Sequence, residues 1–176
     1  MTQASKFTEA KLEEAIISLL GDQGYPHTLG TNLDREPSDV LIRSDLRDYL
    51  AKRYAADNIT AGEIDSILRQ LDALNAADLY DSNKTLCKWV SDGFLLKRED
   101  RDQKDLYIQL IDYAGLPLGR GADSQSLDQS SGVAEDINIY RVVNQLEIEG
   151  RELRIPDGIL YINGLPLVVL EFKSAI

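Results

Sequence analysis

The chain contains very little cysteine, and its basic residues are a minority. Only Cys87 among its 176 residues is a cysteine, which excludes an internal disulfide and any zinc site built from cysteines. A chain without disulfides is typical of a reducing cytoplasm, which is the location we expect. The 30 acidic and 19 basic residues give a formal net charge of −11. This balance argues against a chain that holds DNA phosphates unaided.

Long hydrophobic runs are also missing. The segment Leu165–Leu170 is far shorter than the ~20 apolar residues that a membrane-spanning helix needs, so we expect no membrane partner. The composition is 43% hydrophobic and 28% charged, which is typical of a globular domain with a real core.

Helical periodicity dominates the first half of the chain. Apolar residues recur at helical spacing in four segments: 8–20, 44–55, 60–74 and, more briefly, 85–91. Thr60 and Glu63 have the reciprocal spacing of a capping box, and Gly21 is placed to end the first helix. Cys87 and Trp89 are expected in the core. The sequence therefore predicts a mainly helical portion over residues 1–93.

Strand patterns follow after residue 93. We expect strands at 94–97, 106–113, 139–148, 159–162 and 167–172, because β-branched and aromatic residues are frequent there. The stretch from Gly115 to Gly132 is rich in Gly, Ser and Asp and is predicted to be a mobile loop. The pair Asn163-Gly164 favours a hairpin turn. We expect this strand-rich portion, 94–176, to form one compact α/β unit with the helical portion.

The final strand ends in ionisable residues. Leu167–Leu170 is a continuous apolar run, which is typical of a strand buried on both faces. Glu171 and Lys173 follow, two residues apart, so both side chains are expected on one face. A carboxylate and an amine at the end of a buried strand need a partner, a metal ion or water.

The hairpin brings Asp157 near these residues in either of two registers. A three-residue loop would oppose Asp157 to Glu171 directly. A two-residue Asn163-Gly164 turn would leave them one position out of phase, so that a bulge or bend would be needed. Two close carboxylates repel unless a cation lies between them, and oxygen ligands that leave room for water favour Mg²⁺. Asp157 and Glu171 as metal ligands, with Lys173 beside the reacting water, would form a minimal catalytic set for phosphodiester cleavage.

Pro156-Asp157 and Glu171-Phe172-Lys173 resemble the PD-(D/E)xK nuclease motif. The wider segment 154–173, with its Asn-Gly-Leu-Pro turn, resembles the corresponding block of the R subunits of type I restriction–modification enzymes. Segments 110–113 and 142–146 and the first helix are similar to further parts of that family. Two departures from the family pattern are Ile155 between Arg154 and Pro156, and Phe172 in place of leucine.

This resemblance implies a restriction-endonuclease-like mixed sheet flanked by helices, and the activity of a type I site-specific deoxyribonuclease. In that family the nuclease domain precedes two ATPase motor domains, so ATP would act only through domains outside this chain. Double-stranded DNA and the methyltransferase and specificity subunits would be its partners. The chain ends at Ile176, before a further element that the family carries. We therefore expect a truncated piece that is weakly active or inactive alone and that self-associates through an edge strand.

Six further residues are accessory candidates, each with a structural alternative. The family often brings a helical glutamate to the metal, although helical glutamates are usually solvated. A glutamine could assist the centre or simply hydrogen-bond across the sheet. Two arginines could contact phosphates or pair with the nearby Glu149 and Glu152. The candidates are Glu9, Glu13, Glu14, Gln145, Arg151 and Arg154.

Two other functions remain open. The domain could be a non-catalytic assembly or DNA-guiding module whose carboxylates only stabilise the hairpin. It could also be a nuclease of the same superfamily that acts in DNA repair, because the short motif is shared widely.

Overall fold

The computed structural model describes residues 8–74, 76–114, 136–150 and 152–173. The helices are α1 (Glu9–Asp22), α2 (Arg43–Arg53), α3 (Ala61–Asp72) and α4 (Leu79–Ser91). The strands are β1 (His27–Leu29), β2 (Phe94–Leu96), β3 (Leu106–Ile108), β4 (Tyr140–Asn144), β5 (Ile148–Glu149), β6 (Leu153–Arg154), β7 (Gly158–Ile162) and β8 (Leu165–Leu170). No helix in these ranges has the length and apolar character needed to cross a bilayer.

Contacts between residues divide the chain into two units. The first comprises Met1–Leu46 and Ile139–Ile176, and the second comprises Arg47–Asn138, so that the boundary lies within α2. These units do not coincide with the portions 1–93 and 94–176 expected from the sequence, because β1 hydrogen-bonds to β4, far along the chain. The predicted loop from Gly115 to Gly132 lies outside the described residues.

A mixed sheet forms the centre of the first unit. Its strand order is β1-β4-β7-β8, with β1 parallel to β4 and the other neighbours antiparallel. The α/β prediction is confirmed by this sheet together with the helices. One face carries a buried cluster in which Val143, Ile159 and Tyr161 pack with Ile42, just before α2. Helix α1 contacts β4.

The hairpin between β7 and β8 has the two-residue turn. Asn163 and Gly164 both have positive φ, 52° and 76°, as a type I′ turn requires. A Cβ on Gly164 would lie 2.1 Å from the carbonyl oxygen of Ile42, so only glycine fits. The buried Asn163 pairs with Ile139 twice: its N–H donates to the carbonyl oxygen and its Oδ1 accepts from the N–H, both at 2.7 Å. The Asn-Gly pair is therefore required by the packing of the turn and by its conformation.

The second unit contains the predicted capping box. The Thr60 hydroxyl accepts from the Glu63 N–H at 3.1 Å, and the Glu63 carboxylate accepts from the Thr60 N–H at 2.9 Å. Of the five apolar residues whose spacing predicted this helix, Ile64, Ile67, Leu68 and Leu71 are buried in α3, whereas Leu74 lies beyond its end and is half-buried. Strands β2 and β3 lie in two of the segments predicted as strands, and they pair antiparallel. The strand expected over 106–113 ends at Ile108.

Helix α4 differs from its prediction. It begins at Leu79, six residues before the predicted start, because the Asp78 side chain accepts from the Asp81 N–H and caps it. None of its residues is buried. The core assignment of Cys87 is wrong, because Cys87 is exposed. Trp89 is half-buried and packs on Phe94, with 4.9 Å between ring centroids.

Three backbone predictions in the first unit need correction. Helix α1 runs through Gly21 to Asp22. The segment 21–39, whose Gly, Pro, Asn and Asp residues predict a loop, contains β1, whose three residues are too few to give a periodic signal. The strand expected over 139–148 stops at Asn144, because Gln145 takes a left-handed conformation with φ 51°.

Strand β8 is not buried on both faces, so that prediction is wrong. Leu167, Val168 and Val169 are 39%, 44% and 61% exposed. The reason is topological: within the described part of the chain, β8 is the outermost strand of the sheet and pairs only with β7.

Candidate active site

A bulge in the hairpin decides which residues face each other at its open end. Ile162 pairs with Leu165 beside the turn, but a register shift between Leu160 and Tyr161 leaves Leu167 without a partner in the ladder. Beyond the bulge, Gly158 pairs with Leu170. Asp157 and Glu171 are the next residues after this pair, just outside two strands that lie ~5 Å apart. The two-residue turn and the bulge together therefore set a register in which Asp157 and Glu171 follow the last pair of the hairpin on opposite sides of it.

A hydrogen bond links the Asp157 side chain to the segment that follows β8. The Phe172 N–H donates to Asp157 Oδ2 at 2.5 Å. Phe172 lies between Glu171 and Lys173, so this bond fixes Asp157 against the backbone that carries both other candidates. Asp157 is half-buried, whereas Glu171 and Lys173 are exposed. Because β8 ends at Leu170, strand alternation does not dictate a common face for Glu171 and Lys173.

The donor set at this end of the hairpin suits a hard, hydrated cation. Two carboxylates supply oxygen ligands, and the exposure of Glu171 leaves space for water, which Mg²⁺ retains in protein sites. Among the described residues, no group of three or more His, Cys, Asp and Glu side chains is arranged to hold a metal ion. The Asp157 and Glu171 pair thus fits an ion that takes two protein ligands and completes its shell with water or substrate oxygens.

A second polar arrangement joins α1, β1 and β4 within the first unit. Asn144, the last residue of β4, is only 6% exposed. Its amide nitrogen donates to Glu13 Oε1 at 2.8 Å, and its Oδ1 lies 2.8 Å from His27 Nε2. These residues line an open cleft of about 510 Å³ together with Glu14 and residues of α1. Sequence reasoning did not select His27 or Asn144, although Asn144 lies in a segment that resembles the family.

The accessory candidates differ in their burial and in their bonding partners. Glu13 is half-buried and bonded to β4, whereas Glu9 and Glu14 are exposed on α1. Gln145 follows β4 in the left-handed conformation and is exposed. Arg154 pairs with Glu152 at 3.0 Å, and both side chains are about three-quarters exposed. Arg151 lies outside the described residues.

Two further ionisable groups on the sheet serve packing. Arg141 forms a bidentate ion pair with the buried Asp45: Nε lies 2.5 Å from Oδ2 and Nη2 lies 2.9 Å from Oδ1. These hydrogen bonds raise the pKa of Arg141. Burial raises the pKa of Tyr161 to about 12, and its hydroxyl donates to the Val40 carbonyl at 3.1 Å. Both groups keep a single charge state at neutral pH, which suits structural anchors.

Known proteins are similar to this chain over nearly its whole length. The chain is 27% identical to the type I restriction enzyme HindI endonuclease subunit of Haemophilus influenzae, over 94% of this chain and 15% of that protein. It is also 27% identical to the putative type I restriction enzyme MjaIXP endonuclease subunit of Methanocaldococcus jannaschii, over 98% of this chain and 16% of that protein. The chain therefore spans about one sixth of the length of these relatives.

The family described as "Type I restriction enzyme R protein N terminus" matches residues 6–176. This range includes α1, the mixed sheet and both candidate carboxylates. The chain belongs to the type I restriction enzyme R protein N-terminal family.

Proposed function

We propose that this chain is the endonuclease domain of a type I restriction enzyme R subunit and that it hydrolyses DNA phosphodiester bonds with Mg²⁺. The observation that supports the proposal is the register set by the bulge between Leu160 and Tyr161, in which Asp157 and Glu171 follow the last paired residues, Gly158 and Leu170. Family membership and the endonuclease subunits among the relatives support the same reading.

Each residue has a defined part in this chemistry. Mg²⁺ bound there would polarise the scissile phosphate and acidify a water molecule. Asp157 and Glu171 hold the ion, and the hydrogen bond from the Phe172 N–H fixes Asp157 for that task. Lys173 orients the attacking water and offsets the charge that develops on the phosphate. Glu13, the helical glutamate whose carboxylate Asn144 holds against the sheet, is not assigned to this ion, because among the described residues no three such side chains are arranged around one metal.

The rest of the R subunit completes the activity. ATP-driven motor domains outside this chain translocate double-stranded DNA before it is cut, and methyltransferase and specificity subunits complete the cytoplasmic complex. The net charge of −11 supports this division, since an acidic domain needs other parts to supply its DNA affinity. The exposed Val168 and Val169 on the edge strand support self-association of the isolated chain.

Asp157→Ala in the R subunit, assembled with its partners, tests the proposal. We expect cleavage of plasmid DNA to fall below detection, while ATP-driven translocation continues at the wild-type rate. The exposed Asp34→Ala in the same unit is the matched control, and it should change neither activity.

Wild-type cleavage by Asp157→Ala would favour the non-catalytic assembly or DNA-guiding module instead. Loss of translocation as well as cleavage would also count against the proposal, because it would indicate a structural role for Asp157.

A further inference from the structure

The Asp157 carboxylate continues the hairpin where its backbone ladder stops. The last backbone pair is Gly158 with Leu170, so Phe172 lies beyond the ladder. The N–H of Phe172 donates instead to Asp157 Oδ2 at 2.5 Å. A backbone N–H that donates to a carboxylate forms a charge-assisted bond, roughly twice as strong as one between neutral groups. One side-chain oxygen thereby holds the segment that carries Glu171 and Lys173.

The two carboxylate oxygens of Asp157 differ in what they contact. Oδ2 accepts the Phe172 N–H, whereas no hydrogen bond among the described residues engages Oδ1. The amide hydrogen beside Oδ2 carries partial positive charge, which disfavours a cation at that oxygen. Asp157 is also half-buried, whereas Glu171 is exposed. The hydrogen bond therefore leaves Oδ1 as the Asp157 oxygen that is available to an ion.

We propose that the backbone N–H of Phe172 is a positioning group of the nuclease centre: it holds Asp157 by Oδ2, so that Oδ1 alone binds the cation. The inference rests on the proposed function. A ligand that is already oriented loses less freedom when the ion binds. Groups that orient a metal ligand in this way typically contribute 10- to 100-fold in metal affinity, by order of magnitude.

This role belongs to the main chain at position 172 and not to the side chain. Every residue except proline supplies a backbone N–H. Phe172 stands where the family pattern has leucine, and its side chain is half-buried. Because the phenyl ring takes no part in the bond to Asp157, this departure from the family pattern leaves the positioning group intact.

Mg²⁺ binding to the full R subunit, measured by calorimetry without nucleotide, separates the N–H from the side chain. The heat that Asp157→Ala removes defines the nuclease site. Phe172→Pro removes the N–H, and we expect Mg²⁺ to bind this site roughly 10- to 100-fold more weakly. Phe172→Leu is the conservative variant: it changes the side chain, keeps the N–H and should retain the wild-type affinity.

Amide hydrogen exchange at Phe172, followed by mass spectrometry of the full R subunit, measures the bond without introducing proline. In Asp157→Ala the N–H loses its acceptor, so its exchange should be roughly ten-fold faster or more. Asp157→Asn keeps a side-chain carbonyl oxygen that can accept, so it should protect the Phe172 N–H better than Asp157→Ala does. The exposed Asp34→Ala in the same unit is the matched control and should leave this exchange unchanged.

Each result has a separate meaning. Unchanged exchange at Phe172 in Asp157→Ala would overturn the inference, and this measurement decides the question even where Phe172→Pro unfolds. Wild-type Mg²⁺ affinity in a folded Phe172→Pro would overturn the positioning role while the proposed nuclease stands. Equal weakening by Phe172→Leu and Phe172→Pro would also overturn it, because the side chain would then be the cause. If Asp157→Ala changed neither Mg²⁺ binding nor cleavage, the proposed function itself would fail.

Discussion

Glu171→Gln is expected to slow DNA cleavage by the assembled enzyme about a thousand-fold, with ATP hydrolysis and translocation unchanged. The substitution keeps the size of the side chain and removes the charge that would hold the proposed cation opposite Asp157. Losing a metal-polarised phosphate and an acidified water removes several kcal/mol of transition-state stabilisation, and ~4 kcal/mol corresponds to roughly a thousand-fold in rate. Quenched time courses of plasmid cleavage, with translocation followed in parallel, measure both activities.

Glu36→Gln is the control for this experiment, since Glu36 is an exposed glutamate of the same unit. It should cut DNA at the wild-type rate. A Glu171→Gln enzyme that cuts within a few-fold of the wild-type rate would exclude Glu171 as a cation ligand.

The largest expected effect on stability comes from Arg98→Met in the second unit. Arg98 and Glu63 form a buried ion pair: their side chains are 5% and 2% exposed, and Arg98 Nε lies 2.7 Å from Glu63 Oε1. Arg98 also donates to the carbonyl oxygens of Asp57 and Asn58, both at 3.0 Å. Removing the guanidinium leaves the carboxylate buried without its counter-charge, which costs about 3–5 kcal/mol. Urea unfolding at pH 7 measures this loss.

The pH dependence of the unfolding free energy shows whether the unpaired Glu63 carboxylate causes the stability loss in Arg98→Met. Burial alone would raise the pKa of Glu63, but hydrogen bonds from the Thr60 and Glu99 N–H groups and from Arg98 outweigh it and lower the pKa below 4.5. Because the pKa of Glu63 is lower in the folded than in the unfolded protein, its ionised form stabilises the fold at any pH above the unfolded-state pKa. This stabilisation is lost as the pH falls through the folded-state pKa. The difference between wild type and Arg98→Met should therefore narrow below about pH 4.

Arg69→Met on the exposed side of α3 is the control and should change the free energy of unfolding by less than about 0.5 kcal/mol. A constant difference between wild type and Arg98→Met from pH 7 to pH 3 would show that lost packing, and not the unpaired carboxylate, explains the effect.

Local signals in the sequence predicted much of the fold. The Thr60 and Glu63 spacing predicted the start of α3, and Asn163-Gly164 predicted the hairpin turn, because both features depend on residues close in the chain. Burial was harder to predict. Leu167–Leu170 has the composition of a central strand, but exposure depends on strand order, which links β1 to β4 across more than 100 residues. The prediction that Cys87 lies in the core was wrong for the same reason, since tertiary packing decides which residues surround it.

The candidate residues Asp157 and Glu171, which stay a prediction, can be selected from the sequence, but the register of their hairpin cannot. Asp157 and Glu171 follow from the chemistry that strand ends permit, whereas the bulge that aligns them leaves no mark in the sequence. Asn144 and His27 could not be selected from the sequence at all. Neither has a charge partner at a recognisable spacing. The hydrogen bond from Asn144 to Glu13 joins residues that are 131 positions apart in the sequence. Only the parallel pairing of β1 with β4 brings His27 beside Asn144.

The proposal that Asp157 and Glu171 share a cation is tested most directly by anomalous diffraction from crystals of the R subunit grown with Mn²⁺ in place of Mg²⁺. We expect an anomalous peak bonded to side-chain oxygens of both residues, and no such peak in crystals of Asp157→Ala. A fully occupied Mn²⁺ elsewhere in the domain, with the space between Asp157 and Glu171 empty, would contradict the account.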